Sequence, residues 1–347
     1  MRERLKLEIM DLNLLWFVLL GILLAGYAIL DGFDLGVGIL HLCVRQDEER
    51  RLLMNSIGPL WDGNEVWLVT FGGAMFAAFP EVYATVFSGF YTAFMALLFA
   101  LIFRAVSMEF RSKREGTVWR QFWDVSFFGG SSLATFLYGV AVGNAMQGMP
   151  IGPEKEFRGT TLDLLRPYPL LIGLLAVATF ALHGGLYLCL KTEGDLQKRI
   201  HAWAWRAFGF FLVFYLFATI FTLAEVPLAT RNLHQHPWLW VVVVLNVLAV
   251  ANIPRALYRN RAGCAFASSC ATIGALTFFF GAALFPELAH SSLNPDWSLN
   301  IYNAASSEKT LGIMRTMAFL GLPFVLAYTA AVLWVFRGKV KLGHSSY

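Results

Sequence analysis

Residues 26–40 read GYAILDGFDLGVGIL, an apolar run into which two carboxylates, Asp31 and Asp34, are set. Upstream, residues 12–30 contain no charged side chain, so the run from Leu12 to Leu40 exceeds the ~20 residues that a helix rising ~1.5 Å per residue needs to cross a bilayer. The stretch is therefore predicted to be a transmembrane helix that carries acids inside it.

The rest of the chain repeats that composition. Of 347 residues, 57% are hydrophobic and 14% charged, against roughly 25% charged in a soluble domain. With a mean hydropathy of +0.59, 31 Phe and 11 Trp, the apolar surface exceeds what one water-soluble core can hide. A soluble enzyme is excluded, and the net charge of +4 gives no footprint for nucleic acid. Cys43, Cys189, Cys264 and Cys270 lack metal spacing or a disulfide framework and read as packing residues.

The fold class expected is all-α: a polytopic membrane protein with nine spans, at 12–40, 53–78, 81–105, 121–143, 168–190, 203–225, 238–258, 264–286 and 314–336. Strands are not expected, since the runs lack the alternation of a membrane barrel. The whole chain, 1–347, reads as one integral-membrane domain: an extension at 1–11, helices one to four within 12–143, a loop at 144–167, helices five to eight within 168–286, a loop at 287–313, the ninth helix at 314–336 and a tail at 337–347. No cleavable signal pattern opens the chain, so the first helix is expected to be retained, with MRERLKLEIM an extension ahead of an alternative start at Met10. Seventeen loop and helix-end Lys and Arg fall on the side of residues 41–52, nine on the other. The positive-inside rule makes the first side cytoplasmic, with the amino terminus outside and the carboxyl terminus inside. The long outer connection, 287–313, reads as an ordered cap.

Charges within spans cost a few kcal/mol each even on lenient scales. Asp31 and Asp34 in the first helix, Asp62 and Glu65 in WDGNEVW of the second, and Arg104 in LIFRAVSMEFR of the third stand in this position. The spacing of three puts each acidic pair on one helix face, at a similar depth of about 10–18 Å from the inner ends. The expectation is a polar seam opening as a hydrated half-channel to the cytoplasm, with Ala28, Gly32, Gly36, Gly58, Gly63, Gly72 and Gly73 letting the first two helices approach. Four acids against one base leave proton-binding capacity to spare; the bland alternative is polar stapling of helices. His183 is the histidine far inside a span and reads as a hydrogen-bonded core residue, not a haem ligand, for want of an intramembrane partner histidine. Trp61 and Trp67 flank the second acidic pair, where they border the seam or an apolar gas path, or simply pack. No phosphate loop, nucleophile elbow or metal-spaced cluster is present.

The blocks GYAILDGFDLGVGIL (26–40), NSIGPLWDGNEVWLVTFGGAMFAAFP (55–80), VYATVFSGFY (82–91), FRSKREGTVWRQFWD (110–124), VAVGNAMQGMP (140–150) and SLNIYNAASSEKTLGIM (298–314) together resemble subunit II of the cytochrome bd quinol oxidases. The middle, from about Thr160 to Tyr258, matches only in hydropathy. The resemblance implies two four-helix bundles plus a peripheral helix, and a pseudosymmetric pairing with a haem-bearing subunit I in the bacterial or archaeal cytoplasmic membrane. Subunit I would hold two haems b, haem d and the quinol site, and this chain no axial ligand, catalytic group or metal. It implies quinol oxidation with reduction of oxygen to water, protons being drawn from the cytoplasm without pumping. Asp62 matches an acid of the proton path, Arg104 the arginine following the third helix, and Trp67 a tryptophan bordering an oxygen route or a structural quinone. Position 65 is Glu where Gln also occurs in the family, which leaves Glu65 to share or merely tune the role of Asp62. A small single-helix subunit is a further partner the family allows. Two other readings stand beside this one, a proton-coupled secondary transporter and a purely structural assembly subunit. The crowding of polar residues into the first third of the chain speaks against the transporter's paired repeats.

Overall fold

The structure, a computed structural model, describes residues 11–342. Residues 1–10, with Arg2, Arg4, Lys6 and Met10, and residues 343–347, with His344, lie outside the described residues.

Twelve helices account for most of the described residues: α1 (Leu12–Leu40), α2 (Asp47–Ile57), α3 (Trp61–Ala78), α4 (Pro80–Gly89), α5 (Tyr91–Phe110), α6 (Thr117–Gln147), α7 (Pro167–Lys191), α8 (Gly194–Glu225), α9 (Leu228–Gln235), α10 (Trp240–Tyr258), α11 (Ala262–Leu284) and α12 (Glu308–Val335). Among the described residues, eight segments are long and apolar enough to cross a membrane, those containing α1, α5, α6, α7, α8, α10, α11 and α12. The expected second span, 53–78, is instead split. Pro59 cannot donate a backbone hydrogen bond, so the helix stops at Ile57 and restarts at Trp61, leaving α3 with 18 residues, two of them acidic. The expected third span, 81–105, is likewise divided at Phe90 into α4 and α5.

Central α1 packs against α3, α6, α7 and α11. Lipid offers no hydrophobic drive for helix association, so contact quality decides it. At the crossing of α1 and α7, Gly36 and Gly184 meet backbone to backbone: a Cβ on Gly36 would overlap the Phe180 carbonyl oxygen and lie 2.7 Å from the Gly184 nitrogen. A Cβ on Gly32 would lie 3.0 Å from the Phe180 ring, whereas one on Gly72 or Gly73 would meet nothing within 4 Å. This corrects the expected role of the glycines, since the small-residue stripe of α1 receives α7 and not α3. Phe33 stacks on Tyr187 at 4.2 Å on the same seam. Peripheral α12 buries only Leu311.

The ends of the helices are tied differently on the two sides. On one side, residues 148–166 and 285–307 form a cap over the starts of α1 and α12. Met149 N donates to His290 O (2.9 Å), Ser306 N to Ala78 O (2.8 Å) and Trp16 Nε1 to Leu311 O (3.2 Å). Contrary to the strand-free expectation, the cap holds a short antiparallel pair, β1 (Glu287–Ala289) with β2 (Leu299–Asn300), in register Glu287 to Asn300 and Ala289 to Leu299. Partial burial works against the charge of Glu287, but hydrogen bonds and ion pairs with His290 (2.6 Å) and Arg231 (3.3 Å) outweigh it and hold this carboxyl below the usual range. On the opposite side, Lys339 Nζ donates to Thr192 O (2.7 Å) and Val340 N to Lys191 O (2.9 Å), laying the last described residues across the turn between α7 and α8.

Candidate functional site

Arg104 enters from α5 and is completely buried, an expensive placement that its partners explain. Nη2 donates to Asp31 Oδ1 at 2.6 Å, and Nη1 donates to Glu65 Oε1 at 2.6 Å and to Asp31 Oδ2 at 3.4 Å. The planar fork of the guanidinium thus joins α1, α3 and α5, with charge-assisted bonds that are about twice as strong as neutral ones. Gly130 of α6 makes room for α5: a Cβ there would overlap Ala100 O and lie 3.1 Å from Arg104 N.

Asp34 lies one turn along α1 from Asp31 and is also fully buried. Its Oδ2 accepts from Asn64 Nδ2 at 2.7 Å, while its Oδ1 has no hydrogen-bond partner among the described residues. Tyr27 OH donates to Tyr138 OH at 2.8 Å one turn before Asp31, extending the polar layer to α6. Glu65, with its side chain 26% exposed, is the member of this group that reaches the molecular surface.

Asp62 stands apart. It is exposed and makes no hydrogen bond or ion pair with another described residue. Three residues around a helix amount to about 300°, so Glu65 and Asp62 share a side but differ by about 60°. That rotation turns Glu65 toward Arg104 and Asp62 outward, into a stripe with Val66, Val69 and Phe76. The four-acid seam expected from spacing is therefore three acids around Arg104 and Asn64, with Asp62 on the adjoining outer face. Nor is the seam an open half-channel among the described residues, because Asp31, Asp34 and Arg104 are fully buried by packing. Trp67 is buried, its ring lying where a Cβ on Gly26 would be. Trp61 is half-buried and packs on the cluster containing Leu53 and Ile57.

His183 commits both ring nitrogens, Nε2 donating to Ile29 O at 3.0 Å and Nδ1 meeting Ser269 Oγ at 2.8 Å, and stacks on Phe266 at 4.7 Å. Buried His41 gives Nε2 to Asp124 at 2.6 Å. His183 thus has no ring nitrogen left over, whereas His41 Nδ1 has no hydrogen-bond partner among the described residues, which contain no group of three or more His, Cys, Asp or Glu able to hold a metal.

A second polar cluster was not legible as one in the sequence. Asp124 of α6 accepts from His41, from Arg50 Nη1 at 2.6 Å and from Arg111 Nε at 2.6 Å; Asp47 pairs with Arg111 (2.8 Å) and Arg120 (3.1 Å). These arginines count toward topology by sequence alone. What could have exposed the cluster is Asp124 itself, an acid at the start of an apolar run. It ties α2, through Arg50, to α6 and to the turns after α1 and α5, through His41 and Arg111.

The family described as "Cytochrome bd terminal oxidase subunit II" matches residues 12–336. This chain belongs to that family. Among its relatives, the Cytochrome bd-I ubiquinol oxidase subunit 2 of Escherichia coli (strain K12) is 37% identical over 360 residues, covering 95% of each chain. The Cytochrome bd ubiquinol oxidase subunit 2 of Bacillus subtilis (strain 168) is 35% identical over 332 residues, covering 95% of this chain and 97% of its own. A chain of the bd oxidase from Geobacillus thermodenitrificans superposes with a TM-score of 0.78 over 94% of this chain and 99% of that one; at 18% identity the likeness speaks to the fold alone. Asp31, Asp34, Asp62 and Glu65 lie in the blocks on which the resemblance rests, as does Asp34's partner Asn64 in WDGNEVW, whereas Arg104 lies between two of those blocks.

Proposed function

We propose that this chain is the haem-free subunit II of a respiratory complex that oxidises quinol and reduces oxygen to water without pumping protons. Its haem-bearing partner, subunit I, would carry two haems b and haem d, and a structural quinone and a small single-helix subunit are compatible with the same assembly. The observation that carries this reading is the family match over nearly the whole chain, together with bacterial relatives named as ubiquinol oxidase subunits.

In the membrane, α3 adds a ninth crossing to the eight long apolar segments, giving two four-helix bundles with α12 outside them; the near-complete exposure of α12 supports this. The basic excess on the side of residues 41–52 supports a cytoplasmic carboxyl terminus and an outer amino terminus in a bacterial inner membrane. Asp62 would be costly against lipid, so its stripe on α3 is assigned to the face covered by subunit I. Protons from the cytoplasm would then enter at Asp62, between the two subunits, and pass to Glu65 and the Asp31–Arg104 pair, with Asp34 alongside. Arg104 holds these acids at fixed separation and is itself not a proton carrier. Trp67 and Trp61 border the same region, as an edge of an oxygen route or of a quinone contact.

Expressing the chain with and without subunit I tests the division of labour. Visible spectra and quinol-driven oxygen consumption are expected to appear only when subunit I is present. Haem bands from this chain alone would overturn the assignment.

A further inference from the structure

A shallow, open groove of about 590 Å³ lies between α10 and α11 and is lined by no member of the Arg104 cluster. Leu245, Leu248 and Ala249 form one wall, and Cys264, Ala267 and Ala271 the other. The small residues of α11 keep the groove open, and most of its lining is exposed. One end is apolar. At the other end stands Arg255, which is held in place: Nη1 donates to Asn252 Oδ1 at 3.1 Å, Asn252 Nδ2 donates to Ser268 Oγ at 2.9 Å, and Ser268 donates to Cys264 O at 2.9 Å. A guanidinium has five N–H donors; those of Arg255 beyond Nη1 find no partner among the described residues. Arg259 and Arg261, on the turn joining α10 to α11, are exposed and have no carboxylate partner among the described residues.

We propose that this groove binds an anionic phospholipid, its phosphate on Arg255 and one acyl chain along the walls.

Two observations select a lipid over a transmembrane helix of another subunit. From Leu245 to Arg255 the groove follows ten residues of α10, ~15 Å at 1.5 Å per residue, which is half of a ~30 Å hydrocarbon layer. That is the depth of one leaflet, whereas a crossing helix needs the full thickness. The charge also sits at one end only, at the level where a phosphate would lie. Basic recesses between transmembrane helices select anionic headgroups on this principle, and the first turn of α11 adds backbone N–H groups at the same end. The polar chain from Arg255 to Ser268 gives the arginine a fixed position that a purely topological charge would not require.

Cys264 supplies the readout, because its thiol is free and exposed and lines the groove. The intact complex, stripped of lipid in detergent, is treated with N-ethylmaleimide and alkylation is followed peptide by peptide. Dioleoyl phosphatidylglycerol is expected to slow modification of Cys264 but not of Cys43, which is exposed elsewhere. Dioleoyl phosphatidylcholine and inorganic phosphate are expected to leave Cys264 reactive. Arg255→Gln is expected to raise the half-protecting phosphatidylglycerol concentration about tenfold, as loss of a charge-assisted bond implies, with oxygen consumption unchanged. Asn252→Ala, which frees Arg255 from its anchor, is expected to shift it in the same direction. Equal protection by phosphatidylcholine, protection by phosphate alone, or no effect of either variant would overturn the proposal. So would a Cys264 already shielded in the lipid-free complex by a protein subunit.

Discussion

Arg104→Met, introduced into the chain assembled with its partner, is expected to destabilise the complex by about 3–5 kcal/mol, the cost of leaving buried charges uncompensated. The guanidinium is the group that joins Asp31 of α1 and Glu65 of α3 to α5, and solvent does not reach Asp31 to replace it there. The measurement is the yield and thermal unfolding midpoint of the purified complex. Adding Asp31→Asn to Arg104→Met is expected to restore part of the loss, because the second change removes the stranded carboxylate. Arg104→Lys should fall between wild type and Met, since an ammonium keeps the charge but cannot span both acids with a planar fork. If Arg104→Met alone left the unfolding midpoint unchanged, the cluster would not be holding these helices together.

Gly36→Ala is expected to be at least as damaging, although it adds one methyl group. The new Cβ would overlap the carbonyl oxygen of Phe180 and crowd the backbone of Gly184, so no flexible side chain can move aside and the helices themselves must separate. A cost of about 3 kcal/mol or more follows from overpacking that only backbone displacement can relieve. Gly209→Ala is the matched control on α8, where nothing lies within 4 Å of the added atom; there the change should be neutral or stabilising by about 0.5–1 kcal/mol, as expected for Ala over Gly in a helix. Comparing the unfolding midpoints of the two variants separates helix propensity from helix contact.

The features legible in the sequence are those written into composition and the local run of residues. Charges inside apolar segments marked Asp31, Asp34, Glu65 and Arg104 as costly and therefore partnered, and the structure groups them. What spacing could not give was rotation. Asp62 and Glu65 are three residues apart, close enough to share a side, yet about 60° is enough to send one to a buried arginine and the other to the outer face. Hydropathy also marks α1 and α7 as crossing segments without saying which neighbour each glycine meets, so nothing in the sequence directs Gly32 and Gly36 to α7 instead of α3. Pro59 sits in a run apolar enough to look continuous, which hid the break before α3. β1 and β2 are too short to show alternation, and they depend on the cap that surrounds them. The Asp124 cluster escaped notice because its arginines already had an explanation as topology signals.

On the proposed route, protons reach the oxygen-reducing site through acids of α3 and α1, entering at Asp62. Asp62→Asn tests it most directly, because Asp62 is exposed and bonds to no other described residue, so its amide should leave this chain's packing intact. The measurement is quinol-driven oxygen consumption by the purified complex, normalised to its haem content. The expected result is an unchanged haem spectrum with turnover lowered by about tenfold to a hundredfold, the scale of losing a positioned proton-transfer group. A variant with all its haems and full oxygen consumption would contradict the claim.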